Sequence, residues 1–99
     1  MARFDVYRGA PGQGYLLDCQ TDYLSGLNTR LTVPLFLRDR FPRYAARLNP
    51  VFEVEGNTVV MLTQYASAIE TRHLGEKATS LADQRDAIMN ALDMLLTGY

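Results

Sequence analysis

Few side chains in this 99-residue sequence are of the types that carry out bond chemistry. The sequence holds one histidine (His73), one cysteine (Cys19) and one lysine (Lys77), and it has no tryptophan. General acid–base and nucleophilic catalysis depend largely on such groups. The composition therefore predicts a protein that acts by binding and is not an enzyme.

The usual arrangements of catalytic and metal-binding residues do not occur in the sequence. Cys19 and His73 are too far apart to match the short ligand spacings of zinc sites, so we expect no metal and no cofactor. Ser67, His73 and an aspartate can be grouped as a triad, but no motif around Ser67 marks a nucleophile. An RNA-cleaving site in which His73 works beside arginines stays open as the less favoured alternative.

Basic side chains concentrate in one segment of the chain. The cluster consists of Arg38, Arg40, Arg43 and Arg47. Phe41 and Tyr44 lie among these arginines, and Asp39 is the only acid between them. Arginine suits contacts with carboxylates and with aromatic rings. Two interpretations stay open: a contact for an acidic protein partner, or a solvated loop.

Length and composition fit one domain that spans residues 1–99. A net charge of −1 argues against a general nucleic-acid-binding surface. The N-terminal residues lack the apolar run of a secretory signal, and no apolar stretch approaches the roughly 20 residues of a membrane span. We therefore expect a cytoplasmic protein with no membrane contact and no direct binding of nucleic acid.

Alternation of apolar and polar residues predicts three strands in the first part of the chain. They cover residues 3–6, 15–20 and 30–35, with turn-forming residues between them. The three strands are expected to form an antiparallel unit. Pro34 lacks a backbone N–H, so it is expected to confine the third strand to a sheet edge or to end it.

A hairpin is the clearest local prediction in the second part of the chain. Strands over 51–55 and 58–63 flank Gly56-Asn57, a pair that is compatible with a type II′ turn. Residues 68–74 are expected to supply one more strand, which would place His73 in or near the sheet.

A long helix is predicted from about Leu81 to Leu96. Ser80 and Asp83 fit a capping box at its start. The apolar series that marks its buried face comprises Leu81, Ile88, Leu92 and Leu95. Met89 and Leu96 lie off that face, so a second side of the helix requires another partner.

The last residues, Thr97-Gly98-Tyr99, have two interpretations. Chain termini usually fray. Alternatively, the small residues before Tyr99 leave its ring free to enter a partner's pocket, where aromatic anchors often dominate binding.

The chain resembles the CcdB family, the toxins of plasmid and chromosomal toxin–antitoxin modules, over essentially its whole length. The matching pieces are Phe4-x-Val6-Tyr7, Asp18-x-Gln20-x-Asp22, Leu27 to Leu31 leading into Val33-Pro34-Leu35, Asn49-Pro50-Val51, Val60 to Gln64, and Ile88 to Gly98. Their order and spacing together carry the resemblance, because no single piece is diagnostic.

The resemblance implies a mainly β fold with a C-terminal α-helix, the SH3-like barrel of the CcdB and MazF proteins. A five-stranded antiparallel sheet and a small three-stranded sheet are expected. It also implies a homodimer, in which Met89 and Leu96 would meet the second copy across a two-fold axis.

The family poisons DNA gyrase: the dimer enters the opening between the two gyrase A subunits and traps the covalent cleavage complex, with no catalysis by the toxin. Carried onto this sequence, the gyrase-facing residues are Tyr23, Leu24, Asp93, Leu96, Thr97, Gly98 and Tyr99. The best-known form carries Trp where this chain has Thr97, and that Trp stacks on a gyrase arginine. Tyr23 and Tyr99 are the aromatic residues available to replace it.

The family's other partner is an antitoxin whose disordered C-terminal segment folds on the toxin. The expected footprint is the loop from Gly9 to Gly14 together with Arg8, Arg43, Tyr44 and Arg47, since flexibility and positive charge suit a wrapping acidic peptide. Two rival functions stay open: an mRNA endoribonuclease like the MazF/Kid toxins, which resemble the same barrel, and an inactive CcdB relative.

Overall fold

The computed structural model describes residues 2–9, 14–41 and 45–98. Its strands are β1 (Asp5–Arg8), β2 (Tyr15–Asp18), β3 (Thr29–Leu37), β4 (Val51–Val54), β5 (Asn57–Met61), β6 (Ser67–Glu70) and β7 (Lys77–Ser80), and its helix is α1 (Arg85–Thr97). Short 3-10 turns lie at Asp22–Leu24, Arg38–Arg40, Thr63–Tyr65, Thr71–His73 and Ala82–Gln84. The predicted mainly β fold with a C-terminal helix is confirmed.

β3 organises the sheet. Its nine residues pair with β2 along one side, and with β6 and then β5 along the other. The strand order is β4-β5-β3-β2-β1-β7, with β6 beside the first half of β3, and each pair is antiparallel. β1, β2 and β3 form the predicted antiparallel unit. The larger and smaller sheets that were expected are joined through β3.

Pro34 does not place β3 at an edge, so that prediction is wrong. β6 pairs with residues 29–32 and β5 with residues 35–37, which leaves a gap opposite Pro34 on that side of β3. The Pro34 carbonyl accepts a hydrogen bond from the Leu62 N–H (2.9 Å) on the same side. The carbonyl and nitrogen of one strand residue point to the same side of the strand. The missing N–H therefore falls in the gap, and no ladder bond is lost.

The hairpin is present, but its turn lies one residue earlier than predicted. Val54 pairs with Asn57, so the central residues are Glu55 and Gly56. Both have positive φ, 53° and 80°, which is the signature of a type I′ turn and not of type II′. Type I′ matches the twist of the flanking strands, and this match outweighs the low preference of Glu for positive φ.

The strand predicted over 68–74 is shorter than expected. β6 ends at Glu70, and the chain continues into the 3-10 turn Thr71–His73, where His73 is exposed. β7 was not predicted from the sequence. Its residues Lys77–Ser80 are half-buried or exposed and show no apolar alternation, yet they pair with β1 along the edge of the sheet.

Helix α1 packs its apolar face on the sheet. Ile88, Ala91 and Leu92 belong to the core, together with strand residues from both halves of the sheet. Burial of an aliphatic side chain contributes about 1.5–3 kcal/mol, so this face holds the helix. Leu95 was predicted to be buried but is 41% exposed, because the helix extends past the core.

The start of the helix differs from the predicted capping box. α1 begins at Arg85, after the 3-10 turn Ala82–Gln84. The Ser80 hydroxyl accepts a hydrogen bond from the Ala82 N–H (3.2 Å), so it caps the 3-10 turn and not the α-helix.

Cys19 gives a test of the folded core. Burial is the main cause that raises its pKa to about 12, with Asp18 adding to it. We expect the thiol to be nearly inert to iodoacetamide at about pH 8 in the folded protein and reactive in urea, since the thiolate is the nucleophile. The folded state keeps its proton above the unfolded value of 9.0, so this group lowers stability as the pH rises from 9.0 to about 12. Rapid labelling of native protein would contradict the buried placement.

Candidate functional site

The end of α1 is exposed and ordered as far as Gly98. We call Asp93 and residues 96–98 the tip. Leu96 is 77% exposed, and Asp93 and Thr97 are exposed as well. Gly98 adopts a left-handed conformation (φ 79°) and donates its N–H to the Met94 carbonyl (3.1 Å), which ends the helix. The Thr97 hydroxyl donates to the Asp93 carbonyl (2.7 Å). The described part of the tail is therefore held in place. Tyr99 lies outside the described residues.

A second exposed apolar group follows β2. We call residues 22–27 the Tyr23 turn. The Tyr23 ring is 97% exposed, and Leu24 and Leu27 are about half exposed. Hydrogen bonds from the Leu24 N–H to the Thr21 carbonyl and from the Leu27 N–H to the Leu24 carbonyl (both 3.1 Å) close the turn. Exposed apolar side chains of this size contribute little to the free energy of folding. They are, however, the apolar anchors typical of protein interfaces.

A buried ion pair lies beneath the Tyr23 turn. The Arg30 guanidinium contacts Asp18 Oδ2 at 2.7 and 2.8 Å, and both side chains are almost completely buried. Nη2 of Arg30 also donates to the Gln20 carbonyl (3.4 Å) and lies 3.8 Å from Asp22 Oδ1. The pair thus joins the ends of β2 and β3 and reaches the first residue of the turn.

Arg3 connects the turn to the helix. Its backbone N–H donates to Asp22 Oδ1 (2.9 Å), and its guanidinium contacts the Met89 sulfur (3.1 Å) on α1. Within residues 2–9, 14–41 and 45–98, no side-chain hydrogen bond or ion pair joins the Tyr23 turn directly to the tip. The described side-chain contacts between the Tyr23 turn and α1 therefore run through Arg3.

A third apolar surface runs along the β3–β6 pair. Leu31 and Ala68 are cross-strand partners, so both point to the same face of the sheet, and both are exposed. Tyr65 precedes β6 and is 60% exposed, in a turn against which α1 packs. We call this surface the β3–β6 face. It places exposed apolar atoms beside the helix that carries Leu95 and Leu96.

The residues predicted for an antitoxin footprint are distributed unevenly. The Arg8 guanidinium binds Glu55 directly, lies 3.6 Å from Glu76 and donates to the Lys77 carbonyl (3.3 Å). An acidic peptide would therefore compete with two carboxylates for Arg8. Arg47 is exposed in the turn before Asn49. Arg43 and Tyr44 lie outside the described residues, as do residues 10–13 of the predicted loop.

The described part of the chain was predicted to hold no catalytic or metal-binding constellation, and the structure gives the placement of the relevant residues. Residues 2–9, 14–41 and 45–98 contain no group of three His, Cys, Asp or Glu side chains that could hold a metal ion. His73 is exposed in a 3-10 turn. No hydrogen bond to it from Ser67 occurs in that same part of the structure. None of its helices is long and apolar enough to cross a membrane.

Sequence reasoning missed the supports of the Tyr23 turn. Arg30 was treated as a strand residue, although its side chain is 1% exposed. The strand predicted over 15–20 includes Gln20, whereas β2 ends at Asp18 and the Gln20 side chain spans the turn. The spacing Asp18-x-Gln20-x-Asp22 was the available signal, because polar residues at alternate positions share one side of a strand.

The fold of this chain is similar to that of a solved endoribonuclease structure. A solved structure described as an endoribonuclease in complex with its cognate antitoxin, from Mycobacterial species, matches with a TM-score of 0.77. The match covers 97% of this chain and 94% of that chain, at 17% sequence identity. The likeness confirms the predicted SH3-like barrel class of the CcdB and MazF proteins, and at this identity it shows the fold alone.

The family follows from the sequence. The sequence model described as CcdB protein matches residues 3–98. The chain belongs to the CcdB family, the toxins of toxin–antitoxin systems. The comparison with curated proteins found no match.

Proposed function

We propose that this protein is a toxin that binds the A subunit of DNA gyrase and traps the gyrase–DNA cleavage complex. The observation that carries the proposal is the ordered, exposed tip of α1 in a chain that matches the CcdB family over residues 3–98. An apolar side chain as exposed as Leu96 is suited to a pocket of a larger partner. Asp93 is exposed on the same end of α1, where its carboxylate can pair with a cationic side chain of the partner.

The aromatic contact of the proposed interface falls to Tyr23. Thr97 directs its hydroxyl to the Asp93 carbonyl and has no ring for stacking. Tyr23, at 97% exposure, offers a ring that can stack on a cationic side chain, a contact worth about 0.5 to 2 kcal/mol. Two patches on one protomer, the tip and the Tyr23 turn, would then both contribute to gyrase binding.

The active form in this proposal is a homodimer that pairs through the β3–β6 face. The face exposes Leu31 and its cross-strand partner Ala68, and Tyr65 precedes the same strand. Contiguous exposed apolar side chains of this kind mark association surfaces. Pairing of two copies across a two-fold axis would cover this face and set the two tips close together.

Leu31→Glu is expected to shift the protein from dimer to monomer without unfolding it, because Leu31 is 40% exposed and faces Ala68. Two-fold symmetry would bury the unpaired Glu carboxylate twice in each dimer. The affinity between the two copies is therefore expected to fall at least about a hundredfold. Analytical ultracentrifugation measures the change. Val51→Glu is the matched control, since Val51 is similarly exposed (37%) on β4. Equal dissociation by both variants, or by neither, would contradict this interface.

A cognate antitoxin with a disordered C-terminal segment is the proposed neutralising partner. The structural neighbour described above was solved with its own antitoxin. Of the arginines expected to contact the antitoxin, the structure describes two: Arg47, which is exposed, and Arg8, which pairs with Glu55. An acidic segment that folds on the toxin would replace Glu55 and Glu76 as partners of Arg8.

One experiment separates the proposal from the endoribonuclease alternative, which the fold of the neighbour favours. Purified protein is incubated with gyrase, ATP and supercoiled plasmid, and in parallel with RNA. Linear DNA released after denaturant and protease supports gyrase poisoning. RNA fragments formed without gyrase would support the nuclease. Neither product would identify an inactive relative.

A further inference from the structure

The side chain of Gln20 bridges the two ends of the Tyr23 turn. Its Nε2 donates to the Leu24 carbonyl (3.2 Å) and to the Thr29 carbonyl (3.0 Å). Its Oε1 accepts from the Leu31 N–H (3.1 Å). One side chain thus ties the turn both to its own exit and to the strand that follows it.

The same network fixes the start of the turn. The Gln20 N–H donates to Asp18 Oδ1 (3.1 Å), and Arg30 holds the other oxygen of that carboxylate. Asp22, the first residue of the 3-10 turn, accepts from the Arg3 N–H and lies within 3.8 Å of Arg30. Gln20 is the member of this network that contacts the part of the turn carrying the apolar side chains.

Packing of the turn's own side chains does not account for the order of residues 22–27, so the polar contacts of Gln20 need another explanation. The side chains of Tyr23, Leu24 and Leu27 are largely exposed, so they contribute little packing that would order residues 22–27. A loop without packing is ordinarily mobile, and ordering it on binding lowers the affinity. The bonds of Gln20 order the turn before any partner arrives.

We infer that Gln20 is a positioning residue that holds the Tyr23 turn in its binding conformation, and that Leu27 extends the contact surface formed by Tyr23 and Leu24. The inference rests on the proposed gyrase-binding function. Gln20 itself is half-buried beneath the turn and touches the partner only through the residues it positions. Leu27 joins the surface because its N–H bonds to the Leu24 carbonyl, which sets the two leucines at the two ends of one tight turn.

Gln20→Met tests the inference, because Met keeps the length of the side chain and removes all three side-chain hydrogen bonds. Amide hydrogen exchange is followed at Leu24, Ser25 and Leu27, whose N–H groups bond to backbone carbonyls and not to Gln20. Their protection is expected to be almost completely lost, as for a turn that is ordered in only about a tenth of the molecules. If the binding-competent turn falls to about a tenth of the population, affinity for a gyrase A fragment falls about tenfold.

Two further variants make the result specific. Gln20→Glu keeps the acceptor for the Leu31 N–H and loses both donors, and it is expected to act in the same direction. Gln84→Met makes the same chemical change at an exposed position whose side chain forms no cap bond to α1, and it is expected to alter neither readout. Leu27→Ala is expected to weaken gyrase binding severalfold with exchange in the rest of the turn unchanged.

The outcomes are distinguishable. Unchanged protection in both Gln20 variants would overturn the positioning role. Lost protection with unchanged gyrase affinity would show that the turn is not a gyrase contact, and would overturn the inference while leaving tip binding intact. Wild-type protein that does not bind gyrase would overturn the proposed function, and with it the purpose assigned to the turn, although the exchange data would still report whether Gln20 orders it.

Discussion

Removal of residues 97–99 is expected to abolish trapping of the gyrase cleavage complex and to leave the fold and the dimer intact. The buried residues of α1 lie earlier in the helix, at Ile88, Ala91 and Leu92. Truncation loses one backbone bond from Gly98 and one hydroxyl bond from Thr97, both at the exposed end. Loss of an interface centre commonly costs about 2–4 kcal/mol, which corresponds to at least a thirtyfold reduction in trapping. Linear plasmid in the cleavage assay measures the effect.

A single substitution tests the apolar contribution of Leu96 apart from that of residues 97–99. Leu96→Ala removes exposed apolar atoms and retains a strong helix former, so the helix is expected to persist. About tenfold weaker trapping is expected. Val51→Ala truncates an exposed aliphatic residue on β4, outside the tip, and is expected to leave trapping unchanged. A truncated protein that is dimeric and still traps gyrase at wild-type levels would show that the tip is not the contact.

The elements that could be predicted from the sequence were those whose local pattern agrees with their tertiary surroundings. β4 in the hairpin alternates exposed and buried residues, and α1 carries a helical stripe. The first strand was predicted over residues 3–6, but β1 covers Asp5–Arg8 and Arg3 and Phe4 lie in the turn before it. β7 could not be predicted, because pairing with β1 and not an apolar pattern makes Lys77–Ser80 a strand. The interior position of Pro34 could not be predicted either, because it depends on two partner strands, β6 and β5, that leave a gap opposite the proline.

The candidate site was reached by resemblance and not by spacing. The residues carried over from the family at the tip are exposed where the structure describes them, and the assignment to gyrase stays a prediction. No periodicity could have shown that Arg30 turns inward to Asp18, since arginine is rarely buried. Likewise, Leu95 follows the helical stripe but lies beyond the sheet, and this depends on where the helix ends relative to the core.

Breaking the buried ion pair is expected to produce the largest loss of stability of any single change considered. Arg30→Met leaves the Asp18 carboxylate in a site with 0% exposure, where the Gln20 N–H is the donor that remains among the described residues. An uncompensated buried charge typically costs about 3–5 kcal/mol, a large fraction of the 5–15 kcal/mol that stabilise a small domain. Urea unfolding measures the difference in free energy. Arg72→Met is the control, because Arg72 pairs with Glu70 on the surface and an exposed pair contributes at most about 1 kcal/mol.

The second half of this prediction concerns the pair as a unit. Asp18→Leu combined with Arg30→Met removes both charges and retains comparable volume, so the double variant is expected to be more stable than Arg30→Met alone. The difference in free energy of unfolding between the double variant and the wild-type protein measures what the ion pair contributes beyond the cost of its own desolvation. If the Tyr23 turn depends on Arg30 through Gln20 and Asp22, the double variant recovers stability but not the protection of the turn amides. Additive losses from the two single substitutions would contradict the coupling between Asp18 and Arg30.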